Sequence, residues 1–238
     1  MRVAFTLACV LLASTVGAAD LVVRQRTSTG ASTMPNEETV YLMTDTIVTD
    51  SQAARTIVDL DKRTITSADK TKRTYTTMTF DELTAQMEAL RKALDSLPPE
   101  ARKQMGALLD DSGPVTIEPT GKTDTIAGYL AKEHSLHGGA YNGSIWTTDA
   151  ISTPPAFQKW KNIEKARGGA ARQLSEAIQK LSGFPLRTKI EARAGGQNVT
   201  LSNDVIEVRE GSAPADVRGV PAGFTKQPMP TIAPPPAG

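Results

Sequence analysis

The feature that most restricts the fold is a run of alternating, β-branched segments between Asp20 and Met78. Leu21 to Thr27 is β-rich and mixed in polarity. Thr39 to Thr49 carries Val40, Leu42, Ile47 and Val48 between polar residues. Ala54 to Leu60 puts Thr56, Val58 and Leu60 on one side. Arg63 to Thr66 and Arg73 to Met78 follow after the short polar stretches Asp61-Lys62 and Ser67 to Lys72. Such alternation is the signature of half-buried antiparallel strands. The intervening turns are only a few residues long, so sequence neighbours are expected to pair as a meander.

The period then changes. Thr79-Phe80-Asp81-Glu82 has the pattern of a capping box, with Met78 and Leu83 placed for the accompanying staple. Leu83, Met87, Leu90 and Leu94 fall on one helical face. Pro98-Pro99 ends this helix and starts a second, carrying Ala101, Met105 and Leu108, which Gly113-Pro114 ends. Val115 and Ile117 lead to a turn at Pro119-Thr120-Gly121. Lys122 to Leu136 reads as one long strand bent at Gly128, and Ser144 to Asp149, with Trp146, as another. Pro154-Pro155 opens a helical segment with Phe157, Trp160 and Ile163, loosened at Gly168-Gly169, which resumes with Leu174, Ile178 and Leu181 and stops at Gly183. Leu186, Thr188, Ile190 and Ala192 alternate with charged residues up to Gly195-Gly196, and Val199 to Val208 returns, a clear hairpin. From Pro228 the sequence is Pro-rich and lacks any core-forming pattern, so 227–238 is expected to be a disordered tail.

Strands interrupted by two helical inserts predict a single α+β domain over 20–226. A long antiparallel sheet with one apolar face must cover it, and the helical segments 80–109 and 155–182 are the candidates.

Residues 1–19 read as a secretory signal: Met1-Arg2, an apolar block from Val3 to Leu12, then small residues, with cleavage after Ala18 or Ala19. The block is shorter than the roughly 20 apolar residues that cross a bilayer, and no later stretch qualifies. The chain is therefore expected outside the cytoplasm, in the periplasm or secreted. Its single Cys is Cys9, inside the signal, so the mature chain has no disulfide to form. Only six residues separate Arg2 from Cys9, too few for the apolar core of a lipidation signal. Without Arg2, the 27 Lys and Arg become 26, matching 26 Asp and Glu. A neutral chain does not present the concentrated basic surface that nucleic acid needs.

The chain also resembles a known family. The carrying segments are Ile57-Val58-Asp59-Leu60-Asp61-Lys62-Arg63-Thr64, Arg73-Thr74-Tyr75, Met78-Thr79-Phe80, Thr125-Ile126-Ala127-Gly128-Tyr129, Trp146-Thr147-Thr148-Asp149, Gly183-Phe184-Pro185-Leu186 and Val220-Pro221-Ala222-Gly223-Phe224. In this order they resemble an uncharacterised bacterial domain-of-unknown-function family. That family is grouped with the LolA-like superfamily of periplasmic lipoprotein carriers and lipoproteins. The resemblance implies a strongly curved antiparallel sheet, an unclosed half-barrel, with helices packed on its concave face and an acyl chain or lipid held between. Ala131 stands where relatives often carry Cys, and no residue matches the arginine that carriers place inside the barrel.

No chemistry-bearing constellation emerges. His134 and His137 are the only histidines. Residues three apart on a strand point to opposite faces, and no third ligand lies nearby, so surface histidines are expected and not a metal site. His137-Gly138-Gly139-Ala140 faintly resembles an oxyanion loop, but no Gly-x-Ser-x-Gly elbow accompanies it. Glu37-Glu38 and Asp110-Asp111 read as solvated charge in a loop and at a helix end. Arg187, Lys189 and Arg193, balanced by Glu191, read as a solvated strand face. No P-loop or dinucleotide glycine pattern occurs, so no cofactor is expected. Asn142-Gly143-Ser144 and Asn198-Val199-Thr200 match the glycosylation pattern.

What remains is apolar surface. Leu83, Met87, Leu90 and Leu94 either pack on the sheet or form one wall of a pocket, with Trp146, Phe157 and Trp160 on the other. Aromatics are 5% of the chain, so few bulky groups are available to fill a wide half-barrel. The leading expectation is a non-enzymatic exported protein that binds a lipid or acyl chain. The alternatives are an envelope module with a filled core that meets a protein partner, and an exported hydrolase.

Overall fold

The structure is a computed structural model that describes residues 20–30, 35–95, 114–139, 141–164, 170–194 and 197–229. Among the described residues, twelve strands form one curved, unclosed sheet. They are β1 Leu21–Thr29, β2 Asn36–Leu42, β3 Thr46–Ser51, β4 Ala54–Asp59, β5 Thr64–Asp69, β6 Thr74–Thr79, β7 Thr116–Ile126, β8 Tyr129–Gly138, β9 Tyr141–Thr148, β10 Phe184–Ala194, β11 Gln197–Glu210 and β12 Thr225–Lys226. Helix α1 spans Phe80–Asp95, α2 Pro155–Glu164 and α3 Ala170–Gln179. The order across the sheet is β12-β6-β5-β4-β3-β2-β1-β11-β10-β9-β8-β7. Two meanders, β1 to β6 and β7 to β11, are thus joined where β1 pairs with β11. Every pair is antiparallel except β12 on β6.

The predicted meander and final hairpin are present, with several corrections. Thr39 to Thr49 is two strands, because the chain reverses over Met43 to Asp45, where Met43 N–H donates to the Thr46 carbonyl at 3.0 Å. Lys122 to Leu136 is not one bent strand. It reverses fully at Ala127-Gly128, whose φ values of 50° and 85° are those of a tight hairpin turn. Glycine at the second position signals such a turn, but alanine at the first hides it. Pro119 to Gly121 is no turn between elements; β7 runs through it with a register shift between Pro119 and Thr123. β7 is an edge strand, where a proline is tolerated. Glu37 and Glu38 lie on β2, not in a loop. The second helix expected near 99–109 lies outside the described residues, as do 1–19 and 230–238.

The capping box forms as the sequence predicts. Thr79 N–H donates to Glu82 Oε2 at 2.7 Å and Glu82 N–H donates to Thr79 Oγ1 at 3.1 Å. Bonds from the Thr79 amide and hydroxyl hold the Glu82 carboxyl below its ordinary range, the amide contributing most. The first helical residue, Phe80, is buried at the end of β6.

Antiparallel partners share a face, so the unbroken register from β1 to β6 sorts every residue. One face carries Leu21, Leu42, Ile47, Val58, Ile65 and Met78 in a row. The other carries Val22, Tyr41, Val48, Ile57, Thr66 and Thr77. The main core lies on the first face. It runs from Leu21, Val23, Leu42, Ile47 and Val58 to Ile126, Ala131, Phe184 and Leu186, and takes in Ile151 and Ala156. A second cluster joins Leu136, Ile145 and Ile190 to Leu174 and Ile178 of α3.

The second face of β2 to β4 is covered by a later segment of the same chain. After β11, residues 211–227 cross it as a strap. Ala213 packs with Met43, Val48 and Ile57, and Val217 is buried in a short 3-10 turn at Ala215–Arg218. Arg55 fixes the strap, donating to the Asp216 and Gly219 carbonyls at 2.9 and 3.2 Å. The strap ends against β6, with Thr225 N–H on the Arg73 carbonyl and Gln227 N–H on that of Tyr75.

Candidate binding surface

The face of β1 to β6 that carries the main core is graded along the strands. Next to the apolar row lies a row of Val23, Val40, Thr49, Thr56, Ser67 and Thr76. Beyond it lie Gln25, Glu38, Ser51, Ala54, Asp69 and Thr74. Alternation along each strand fixes which residues point this way. The decline of apolar residues along every strand makes the gradient. The charged side chains that the register puts on this face are Glu38 and Asp69. Arg24, Arg26 and Arg55 all lie on the opposite face, paired with Glu37, Glu207 and Asp50.

The two carboxylates differ. Asp69 accepts from the Thr71 and Lys72 amides, both at 2.9 Å, and pairs with Lys72 at 3.3 Å. The Lys72 amide does most to hold its carboxyl below the ordinary range. Glu38 is half-buried and has no cationic partner among the described residues. It accepts from Gln25 Nε2 at 2.6 Å, and Gln25 Oε1 accepts from Asn203 Nδ2 at 2.9 Å. At the β5–β6 end lies a depression of about 490 Å³, lined by Ser67, Asp69, Thr74 and Thr76 of this face and by Ala68 and Tyr75 of the other, among others.

The apolar end is covered by α2. Its first turn is set by Pro154, whose carbonyl accepts from Phe157 N–H at 3.0 Å. Ala156 is fully buried; Phe157 and Trp160 pack against the main core. The rings of Phe157 and Phe184 lie 5.7 Å apart, tilted by 43°. Trp146 joins the same cluster from β9. The structure therefore brings Trp146, Phe157 and Trp160 to one core. Leu83 and Met87 are half-buried and pack against none of the buried clusters among the described residues. The side chains of Leu90 and Leu94 lie outside the described residues.

Arg187 is not simply a solvated strand residue. Its guanidinium lies 5.9 Å from the Trp146 ring centre and donates to Asp204 at 2.7 Å and Asp124 at 3.0 Å. Asp124 is on β7, three strand spacings from Arg187 on β10. In a flat sheet that separation is about 14 Å, so the sheet curls sharply towards this side for the two to meet. The Arg187 hydrogen bond is the main reason the Asp124 carboxyl stays below its ordinary range.

His134 and His137 do point to opposite faces, being paired with Ile145 and Asn142. His134 Nε2 lies 3.2 Å from Thr147 Oγ1, and His137 Nδ1 2.6 Å from Asn142 Oδ1. Gly138 is required by packing: a Cβ there would meet the Pro114 carbonyl. No group of three His, Asp or Glu suited to a metal occurs among the described residues. Sequence reading missed the Glu38–Gln25–Asn203 chain. Its signal was present: Gln25 continues the Leu21, Val23 spacing as a polar residue on an otherwise apolar face.

Residues 28–224 match the family model described as a domain of unknown function, DUF4412. No curated protein matches the chain. Among solved structures, it is similar to PNGF-II, with 11% identity and a TM-score of 0.40, over 89% of this chain and 31% of that one. It is also similar to an uncharacterised conserved protein from Thermus thermophilus, with 6% identity, a TM-score of 0.48 and coverage of 89% and 91%. A third is a putative outer membrane lipoprotein-sorting protein domain from Vibrio parahaemolyticus, with 7% identity, a TM-score of 0.33 and coverage of 85% and 90%.

Proposed function

We propose that this chain, which belongs to the DUF4412 family, is an exported, non-enzymatic protein that binds a lipid or other apolar ligand between its curved sheet and its helices. The observation that carries this reading is the graded face of β1 to β6. Leu21, Leu42, Ile47 and Val58 of that row are buried in the core, so an amphiphile laid along the strands would place its chain at the half-buried end of the row, Ile65 and Met78, and its head over the hydroxyls and carboxylates beyond. Trp146, Phe157 and Trp160, with Leu83, Met87, Leu90 and Leu94, would line the apolar end, the helices covering the concave side. The export signal at 1–19 supports a periplasmic or secreted location. Among the described residues no helix is long and apolar enough to cross a membrane.

The driving force would be burial. Each methylene removed from water contributes about 0.8 kcal/mol, so a ten-carbon chain supplies roughly 8 kcal/mol before the costs of association. Native mass spectrometry of gently purified protein should show a bound lipid. Adding lipid to stripped protein at about 100 times its dissociation constant should raise stability by about 2.7 kcal/mol. A bare mass with no stabilisation by any lipid class rejects the reading. The second reading, an envelope module that meets a protein partner, is favoured by the closure of the core, in which Leu21, Met43, Leu136, Ile145 and Leu186 are all but inaccessible. It would be supported by that same negative result.

A further inference from the structure

The polar end of the graded face has a definite hydrogen-bonding sense, set by Glu38. A carboxylate only accepts, so Gln25 must turn its Nε2 towards Glu38 and its Oε1 towards Asn203. Asn203 must then present Nδ2 to Gln25, which leaves Asn203 Oδ1 as a buried acceptor with no partner. One anionic group thereby orients two amides across β2, β1 and β11, and the end of the chain that faces outward is the half-buried Glu38 carboxylate, itself an acceptor. The register adds no cation to this face between β1 and β6, and the strap lies on the other side, with the Arg55 that holds it. The cations at the row's margin are already paired: Lys72 with Asp69 at 3.3 Å, and Lys70, whose Nζ donates to the Ser51 carbonyl at 2.6 Å, with Asp50 at 2.8 Å.

From this arrangement we propose that the polar row seats a ligand head that donates hydrogen bonds and carries no negative charge, with Glu38 as its principal contact. The inference rests on the amphiphile-binding reading above and specifies its ligand: a single aliphatic chain ending in an ammonium or hydroxyl-bearing head, in place of a carboxylate or phosphate. An anionic head would meet the Glu38 carboxylate without a compensating cation. A donor head would complete the hydrogen bonds that this row leaves open.

The test uses three probes of equal chain length with the complete protein at neutral pH: decylamine, 1-monodecanoylglycerol and decanoate. Each is titrated below its aggregation concentration, followed by the fluorescence of Trp146 and Trp160 and by calorimetry. The amine and the glyceride should bind at least about tenfold more tightly than decanoate, the scale of one charge contact of partly screened strength. Glu38→Gln should reduce that ratio to about threefold or less, and Glu38→Lys should reverse it in favour of decanoate. Circular dichroism confirms that each variant is folded. If all three probes bind alike, or decanoate binds best to the unaltered protein, the head-group assignment is overturned while amphiphile binding stands. If none binds, both fall together.

Discussion

Arg55 is where the strap can be tested most directly. Its side chain is 8% exposed, donates to both oxygens of Asp50 at 2.9 and 3.3 Å, and holds two strap carbonyls. Arg55→Ala leaves the Asp216 and Gly219 carbonyls without a donor and Asp50 with Lys70 alone, 2.8 Å away. Removing one member of a buried pair costs about 3 to 5 kcal/mol, and the surviving Lys70 contact puts this case near the lower figure. For a domain of this size a loss of about 3 kcal/mol lowers the melting temperature by about 6 to 12 °C. The acid response gives an independent reading. Burial pushes the Asp50 carboxyl up, but the bonds from Arg55 and Lys70 outweigh it and hold it below the ordinary range. A carboxylate depressed in the folded state contributes stability above its unfolded value, about 3.9, and loses it as pH falls through the folded value. The unaltered protein should therefore shed more stability than Arg55→Ala as pH drops below about 4. Calorimetry at neutral pH and across this acid range measures both. A variant that melts within about 1 °C of the parent, with the same acid profile, would refute the anchoring role.

Other substitutions probe other links. Thr79→Ala should cost about 1 kcal/mol in urea unfolding, and a cycle with Glu82→Ala should be non-additive, because each makes the other's bond. Phe184→Ala should cost about 3 to 5 kcal/mol by the same measurement, since Phe184 is buried beside Phe157. Gly138→Ala should destabilise by more than about 1 kcal/mol, as φ is 120° and the new methyl meets the Pro114 carbonyl; a stability equal to the parent would show that β7 yields locally.

How much of this was legible beforehand depends on whether a signal was local. The β1 to β6 meander, the cap at Thr79 and the hairpin after Phe184 are written in alternation and in single residues, and all are present. The reversal at Ala127-Gly128 was obscured because hydrophobic alternation continues through it: Ile126 and Tyr129 face each other across the turn. Strand β12 was unreadable, since two residues paired with a strand some 150 positions away have no period of their own. The aromatic part of the candidate surface was found because bulky residues are scarce. Glu38 was set aside as loop charge because Glu37 beside it is ordinary surface charge, and only the register separates their faces.

The pairing of β1 with β11 has a consequence for how the molecule is made. Leu21 meets Glu210, so β1 lacks one neighbour until β11, far along the chain, is present. The β1 to β6 meander closes through nearby contacts and forms quickly; the seam between β1 and β11 is a distant, slow closure. Until it zips, β1 offers an open ladder to any passing strand, the condition in which aggregation competes with folding. A chain built this way gains from being kept extended until β11 arrives.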